Sequence, residues 1–402
     1  MIRLIAFLLS LFLFLACSQK TNSLFISNSD GLIKQELIAK PDCNDPLSYA
    51  PDTFTNMKYI RVCVHILDDT KNSANFSLEE GKKFMYYLIK DANSKLSENR
   101  KMNLPEGNTT EALDPGYRYK VVPATNQPGD DGYYKHQDDE LAYFVGKGRD
   151  RNNYSTDVIK KYQIGQDSII NIFVLPHHPD SVKSKTYKPL GGGIALGTAL
   201  KMSGLYNNDR KSWSYSTLLN HEIGHILGLS HSWIRNDRCD DTPQHPNCWD
   251  HNSPACKGTL ASNNMMDYNN SQMAITPCQL GIIHKGLSKQ NARNRKLLIN
   301  DWCTLDDSKE ININSTIQWT GARDINHNIV IQEGGTLELN CRLSMAAGSS
   351  IKVMPKGKLI LNNTRLHNDC NYNWDGIEVV SVGKESGEVI SYGDPIIENV
   401  TN

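Results

Sequence analysis

The run His221-Glu222-Ile223-Gly224-His225-Ile226-Leu227-Gly228-Leu229-Ser230-His231 sets three imidazoles and a carboxylate at spacings that suit a metal site. His221 and His225 are one helical turn apart, so on a helix both rings leave the same face. Glu222 adjoins the first ligand and can reach a metal-bound water without joining the ligand set. Gly228 can take a left-handed conformation, end the helix and turn the chain, which lets His231 bring a third nitrogen from outside it. Three neutral nitrogens plus a water are the open tetrahedral arrangement of catalytic zinc. A lone His on a helix is usually a surface or core residue, but five fixed positions coincide by chance in fewer than about one in ten thousand chains of this length.

Asn264-Met265-Met266-Asp267-Tyr268 follows, with Met266 standing 35 positions after His231. Alone it would mean little, because Met is more often core filler. With the histidine string, it resembles the metzincin metallopeptidases, whose Met-turn lies beneath the metal. The resemblance implies that Met266 is the Met-turn residue and that Tyr268 helps stabilise the reaction intermediate. It is finer for the pappalysin branch, through Cys239-Asp240-Asp241-Thr242-Pro243 soon after the third His and through Cys248, Cys256 and Cys278 around the Met-turn. It covers roughly residues 57–300 and is specific from Leu218 to Cys278.

Four cysteines allow three connectivities, among which sequence alone does not choose; the pappalysin resemblance implies Cys239–Cys256 and Cys248–Cys278. It also implies Zn²⁺ as cofactor, a protein or peptide substrate, and hydrolysis in which Glu222 takes up a proton and delivers it to the leaving amine. Gly193, Ile194, Ala195 and Leu196 look like the edge strand on which the family aligns an extended substrate by strand addition. Asp240 and Asp241 are candidates for a structural Ca²⁺, against the ordinary reading of paired aspartates as solvated. Some pappalysins prefer Arg or Lys beyond the scissile bond through an acidic residue after the Met-turn Tyr. Between Tyr268 and Cys278 this chain has no Asp or Glu, so that preference is not carried over. Cys43 precedes the catalytic region and is a candidate zymogen switch, its thiolate filling the open zinc position; a disulfide, for example with Cys63, is the plainer reading. His177, His178, His245 and His251 lack ligand spacing and read as surface or loop residues.

The elements that must position these groups read as a mixed α/β domain over 57–302, with a twisted mixed sheet and an active-site helix. Tyr59–Ile66, Tyr117–Val122 and Ser168–Leu175 have strand patterns, the last nearly continuous in apolar residues and so central. Ser77-Leu78-Glu79-Glu80 has capping-box spacing and opens a helix to about Glu98. Shorter helices are expected around Asp157–Tyr162 and over Ser216–Leu227. The glycines 191–193 before Ile194 let another backbone approach closely. Over 303–402 the texture changes to an all-β domain. Ile329-Val330-Ile331 and Leu337-Glu338-Leu339 recur 22 residues later as Ile351-Lys352-Val353 and Leu359-Ile360-Leu361. Such a period suggests a parallel β-solenoid, with a small β-sandwich as the alternative.

The 43 Lys+Arg against 44 Asp+Glu leave a net charge of −1, so no polycation is present for nucleic acid. Arg3 and the apolar run Leu4–Ala16 are too short to span about 30 Å of hydrocarbon and read as a signal peptide over 1–16. Phe14-Leu15-Ala16-Cys17 resembles a lipobox, making Cys17 a lipidation candidate and the only link to a membrane. Residues 17–56 read as a tether or pro-segment. Export makes disulfides expected, with one of the remaining nine cysteines left over. The expectation is an exported bacterial zinc endopeptidase, either a cell-envelope lipoprotein or secreted. A surface adhesion or carbohydrate-binding protein working through its β-repeat is the alternative, and Glu222, which such a protein would be free to lose, speaks against it.

Overall fold

The computed structural model describes residues 21–30, 32–36, 39, 42–125, 127–186, 191–207 and 210–401. The signal stretch and Cys17 lie outside the described residues. After β1 (Thr21–Ile26) and β2 (Lys34–Gln35), the first core forms around β3 (Lys58–Asp68). Ile60, Val62, Val64 and Ile66 of β3 alternate on one face, yet Cys63 and Leu67 on the other are equally closed to solvent, so this strand is covered on both sides. It is followed by α1 (Leu78–Ser97), β4 (Tyr117–Val121), β5 (Tyr133–Gln137), α2 (Asp157–Tyr162), β6 (Ile170–Leu175), α3 (Pro179–Lys183), β7 (Gly192–Leu196), β8 (Ala199–Ser203), α4 (Ser216–Ile226) and α5 (Pro277–Ser288).

The sheet order is β4-β3-β6-β8-β7, with β5 continuing along the β3 edge that β4 begins. All pairings are parallel except that of β7, which runs antiparallel to β8 and is outermost. Helix α1 starts where Ser77 and Glu80 close a capping box. Its Met85, Leu88, Ala92 and Leu96 repeat at three- and four-residue steps and bury one face against the sheet and α4. Asn220 of α4 donates to the Ala92 carbonyl at 3.1 Å, which fixes the two helices in register.

Beyond Cys303 the chain is all-β: β9 (Glu310–Ile313), β10 (Thr316–Trp319), β11 (Arg323–Ile325), β12 (Asn328–Ile331), β13 (Thr336–Leu339), β14 (Arg342–Met345), β15 (Ser350–Val353), β16 (Lys358–Asn362), β17 (Arg365–His367), β18 (Gly376–Val382), β19 (Glu385–Ser386), β20 (Glu388–Tyr392) and β21 (Ile396–Ile397). Strands three apart pair in parallel, a step that becomes four once β19 intervenes, giving β9-β12-β15-β18, β10-β13-β16-β20 and β11-β14-β17-β21. Ile329 lies opposite Ile351 and Leu337 opposite Leu359, and all four are fully buried. Among the described residues no helix is long and apolar enough to cross a membrane.

The described residues between 21 and 56 differ from the tether expected over 17–56. Strand β1 lies antiparallel on β18 and β2 parallel on β20, so the chain's early residues complete two sheets of the C-terminal domain. Residues 42–56 then run along the seam between the domains, where Asp52 accepts both guanidinium nitrogens of Arg323 at 2.7 Å. The switch reading of Cys43 is likewise corrected, because Cys43 is bonded to Cys341 and has no thiolate to offer. Cys303 joins Cys370 across the same seam, and Cys63 is the free, buried cysteine. Around the Met-turn the bridges are Cys239–Cys278 and Cys248–Cys256, not Cys239–Cys256 and Cys248–Cys278. The Asp241 carboxylate accepts from Thr276 Oγ1 at 2.7 Å and Cys278 N at 2.9 Å, so it holds the start of α5 beside Cys239. That leaves Cys248 and Cys256 to close their own turn, Cα atoms 6.1 Å apart.

Because Cys43 and Cys341 are 298 positions apart, their bridge restricts most of the unfolded chain. The Cys43→Ser/Cys341→Ser double variant is expected to lose about 2–4 kcal/mol of stability in denaturant unfolding.

Buried charge locks the seam. Arg295, after α5, reaches Asp324 of β11 at 2.8 Å and also pairs with Asp369, while Arg342 of β14 meets Asp324 at 2.8 Å and donates to the Ser288 carbonyl. The Asp324 side chain is 2% exposed.

Candidate active site

Helix α4 presents His221 and His225 on one face, as their spacing requires, and Gly228 (φ +104°) turns the chain past its end. His231 then swings back, and the three Nε2 atoms converge, His225 lying 3.1 Å from His221 and 3.2 Å from His231. The Nδ1 atom of His221 faces the Met265 carbonyl at 2.9 Å and that of His225 the Leu229 carbonyl at 2.9 Å. A carbonyl only accepts, so each Nδ1 carries the proton and each Nε2 turns a lone pair inward. Lone pairs this close repel unless a cation lies among them. Zn–N bonds of about 2.0–2.1 Å in a tetrahedron put nitrogens about 3.3 Å apart, close to the spacing seen. The three histidines therefore form a group that could hold a metal ion. Burial and neighbouring imidazoles push His221 down to about 3 and His231 to about 4, and burial also lowers His225, so all three are neutral donors at ordinary pH.

Glu222 is buried beside this group, and desolvation pushes its carboxyl up to about 7, opposed in part by the Ala195 backbone N–H. That amide belongs to β7, so the outermost strand and the carboxylate are in direct contact. Gly193 makes the contact fit: a β-carbon there would fall 2.7 Å from Glu222 Cγ and 2.8 Å from Oε1. The glycine makes way for a side chain, where sequence reasoning expected a backbone. Ile194, Ala195 and Leu196 are half-buried along the same strand.

Met266 is fully buried beneath α4, where Gly224 admits it; a β-carbon at 224 would meet the Met266 sulfur at 2.5 Å. Tyr268, about half exposed, stands over the histidines, its ring centroid 5.6 Å from that of His221 and 5.0 Å from that of His231. Three contributors carried no recognisable spacing. Trp233 stacks on His231 at 4.0 Å, 13° from coplanar, and so fixes the plane of the imidazole that lies outside the helix. The Gln272 amide donates to the Asp267 carbonyl at 2.6 Å, tying the Met-turn to the residues after it. His245, expected at the surface or in a loop, has a side chain only 7% exposed and meets the buried Asp267 carboxylate at 3.0 Å, while Ser232 donates to the same group at 2.5 Å. His177, His178 and His251 stand apart from the three-histidine group. Asp240 is exposed, and Asp241 is engaged at the start of α5 as described.

Residues 153–288 match the family described as pregnancy-associated plasma protein-A, peptidase family M43. Over this segment the chain is similar to the pappalysin-type peptidases. The match takes in α4, the Met-turn and the start of α5, and it marks the segment as that of a metallopeptidase. Among solved structures, mature mirolysin of Tannerella forsythia in complex with a cleaved peptide is 18% identical, with a TM-score of 0.42 over 62% of this chain and 97% of that one. A mutant of Tannerella forsythia promirolysin is 16% identical, with a TM-score of 0.44 over 63% of this chain and 88% of that one. No curated relative matches the sequence.

Proposed function

We propose that the protein is an exported zinc-dependent endopeptidase whose C-terminal domain is a parallel β-solenoid. The observation that carries the enzymatic reading is the convergence of three neutral imidazole nitrogens beside the buried Glu222, which the outermost strand of the sheet contacts. His221, His225 and His231 would hold the zinc, which when bound supplies a Lewis acid and a low water pKa. Strand β7 would pair with an extended substrate and so lay a peptide carbonyl over the site. Glu222 would take the proton of the attacking water and pass it to the leaving amine. The Tyr268 hydroxyl would donate to the developing oxyanion. The β-solenoid reading rests on three stacks of parallel strands that the chain visits in turn. Export, signal cleavage and lipidation of Cys17 rest on the N-terminal sequence.

The test is cleavage of a mixed peptide library by the purified protein, with and without a zinc chelator. Chelator-sensitive internal cleavage, restored by Zn²⁺, is expected; cleavage indifferent to the chelator would overturn the metal assignment. Gly193→Val drives two methyl groups into Glu222 and is expected to lower kcat by about 10²-fold, the cost of displacing a catalytic group by an ångström. The variant should still bind one zinc per chain by metal analysis.

A further inference from the structure

On the far side of the Gly228 turn lies an open cleft of about 550 Å³ that the peptidase reading does not use. Its floor is apolar, from Pro46, Leu227 and Ile282, and its rim carries Arg238, Lys285 and Lys289. No lining residue is acidic, although the whole chain is nearly neutral. Ile282 and Lys285 lie one turn apart on α5, and Lys289 caps its C-terminal end, where its charge acts on that of Lys285. The end of a helix favours a cation, but here three converge, and none of them has an ion pair among the described residues.

The carboxylates closest in field to Lys285 are Asp42 and Asp45. Both are engaged with their own backbone, Asp42 accepting from Asn44 N at 2.8 Å and Asp45 from Leu47 N at 3.2 Å. Burial and the charges of Lys289 and Arg238 lower the Lys285 pKa, with Asp42 and Asp45 opposing them only in part. Arg238 donates to the Gly228 carbonyl, and Lys285 to that of Asn44; each retains further N–H groups for a ligand.

A cleft of this size with an apolar floor and a few polar groups on one rim has the build of a small-ligand site. We propose that it binds an anionic amphiphile, with a phosphate or carboxylate between Arg238, Lys285 and Lys289 and an apolar chain along Pro46 and Ile282. The site needs neither zinc nor substrate, so its failure would leave the peptidase reading untouched.

The experiment is calorimetric titration of the full chain with dodecyl phosphate below its micelle concentration, with inorganic phosphate and with the neutral detergent dodecyl maltoside. Saturable one-to-one binding of dodecyl phosphate is expected, with weaker binding of inorganic phosphate and none of the maltoside. Lys285→Glu/Lys289→Glu should weaken dodecyl phosphate by about tenfold or more. Lys289→Glu alone, changing one exposed side chain, should weaken it measurably and guards against a misfolded double variant. Equal affinity for inorganic and dodecyl phosphate would overturn the apolar half of the site. Maltoside binding as well as dodecyl phosphate, or no loss in either variant, would overturn the anionic half.

Discussion

Glu222→Gln is expected to lower peptide hydrolysis by about 10³-fold while one zinc per chain remains bound. The amide has the volume of the carboxylate, so it fills the same space under Gly193 and can still accept from the Ala195 N–H. What it loses is a lone pair able to take up a proton. Single-turnover kinetics beside metal analysis separate this from a metal defect. His231→Ala should instead release zinc readily, because it removes one of three converging nitrogens and the ring on which Trp233 stacks. Undiminished hydrolysis by a pure Glu222→Gln sample would remove Glu222 from the reaction.

The second large effect concerns stability. Arg295→Met is expected to cost about 3–5 kcal/mol, since it strips a buried carboxylate of a principal partner and leaves the charge in place. Asp324 is that carboxylate; burial would raise its pKa, but Arg342, Arg295 and Lys58 hold it well below the usual range. A depressed acid stabilises the fold above its unfolded value, near 3.9, and the contribution fades as pH falls through the folded value. The native protein should therefore keep this contribution at pH 5. The deficit of the variant should shrink on acidification below about pH 4, because a protonated Asp324 no longer needs the guanidinium. Urea unfolding of both proteins between pH 3 and pH 7 reads this directly. A deficit that does not change with pH would mean that Arg295 acts through packing, including its place over the Trp302 ring.

Much of this architecture is written locally and could be read from the chain. The capping box at Ser77, the nearly continuous apolar run of β6 and the turn spacing of His221 and His225 each act within a few residues. Strand β5 was not legible, because Tyr133–Gln137 is only half-buried and belongs to the sheet solely through β3. The disulfide partners depended on where Asp241 holds α5, a contact across more than thirty residues. Trp233 and His245 follow no fixed spacing; their roles exist only once the chain has brought His231 and Asp267 beside them. The seam ions were invisible for the same reason, since Arg295 and Asp324 face different cores before the domains meet.

The pairing of β1 with β18 bears on the order in which the molecule can assemble. Ser23 and Glu378, hydrogen-bonded at 2.6 Å, are 355 positions apart. During synthesis the first strand emerges long before its partner exists. The exposed Leu24 and Phe25 must then wait unpaired while the catalytic domain folds. So long a loop closes late and slowly. The pairing of β1 with β18 is thus expected to be a late step of folding, after both cores have formed.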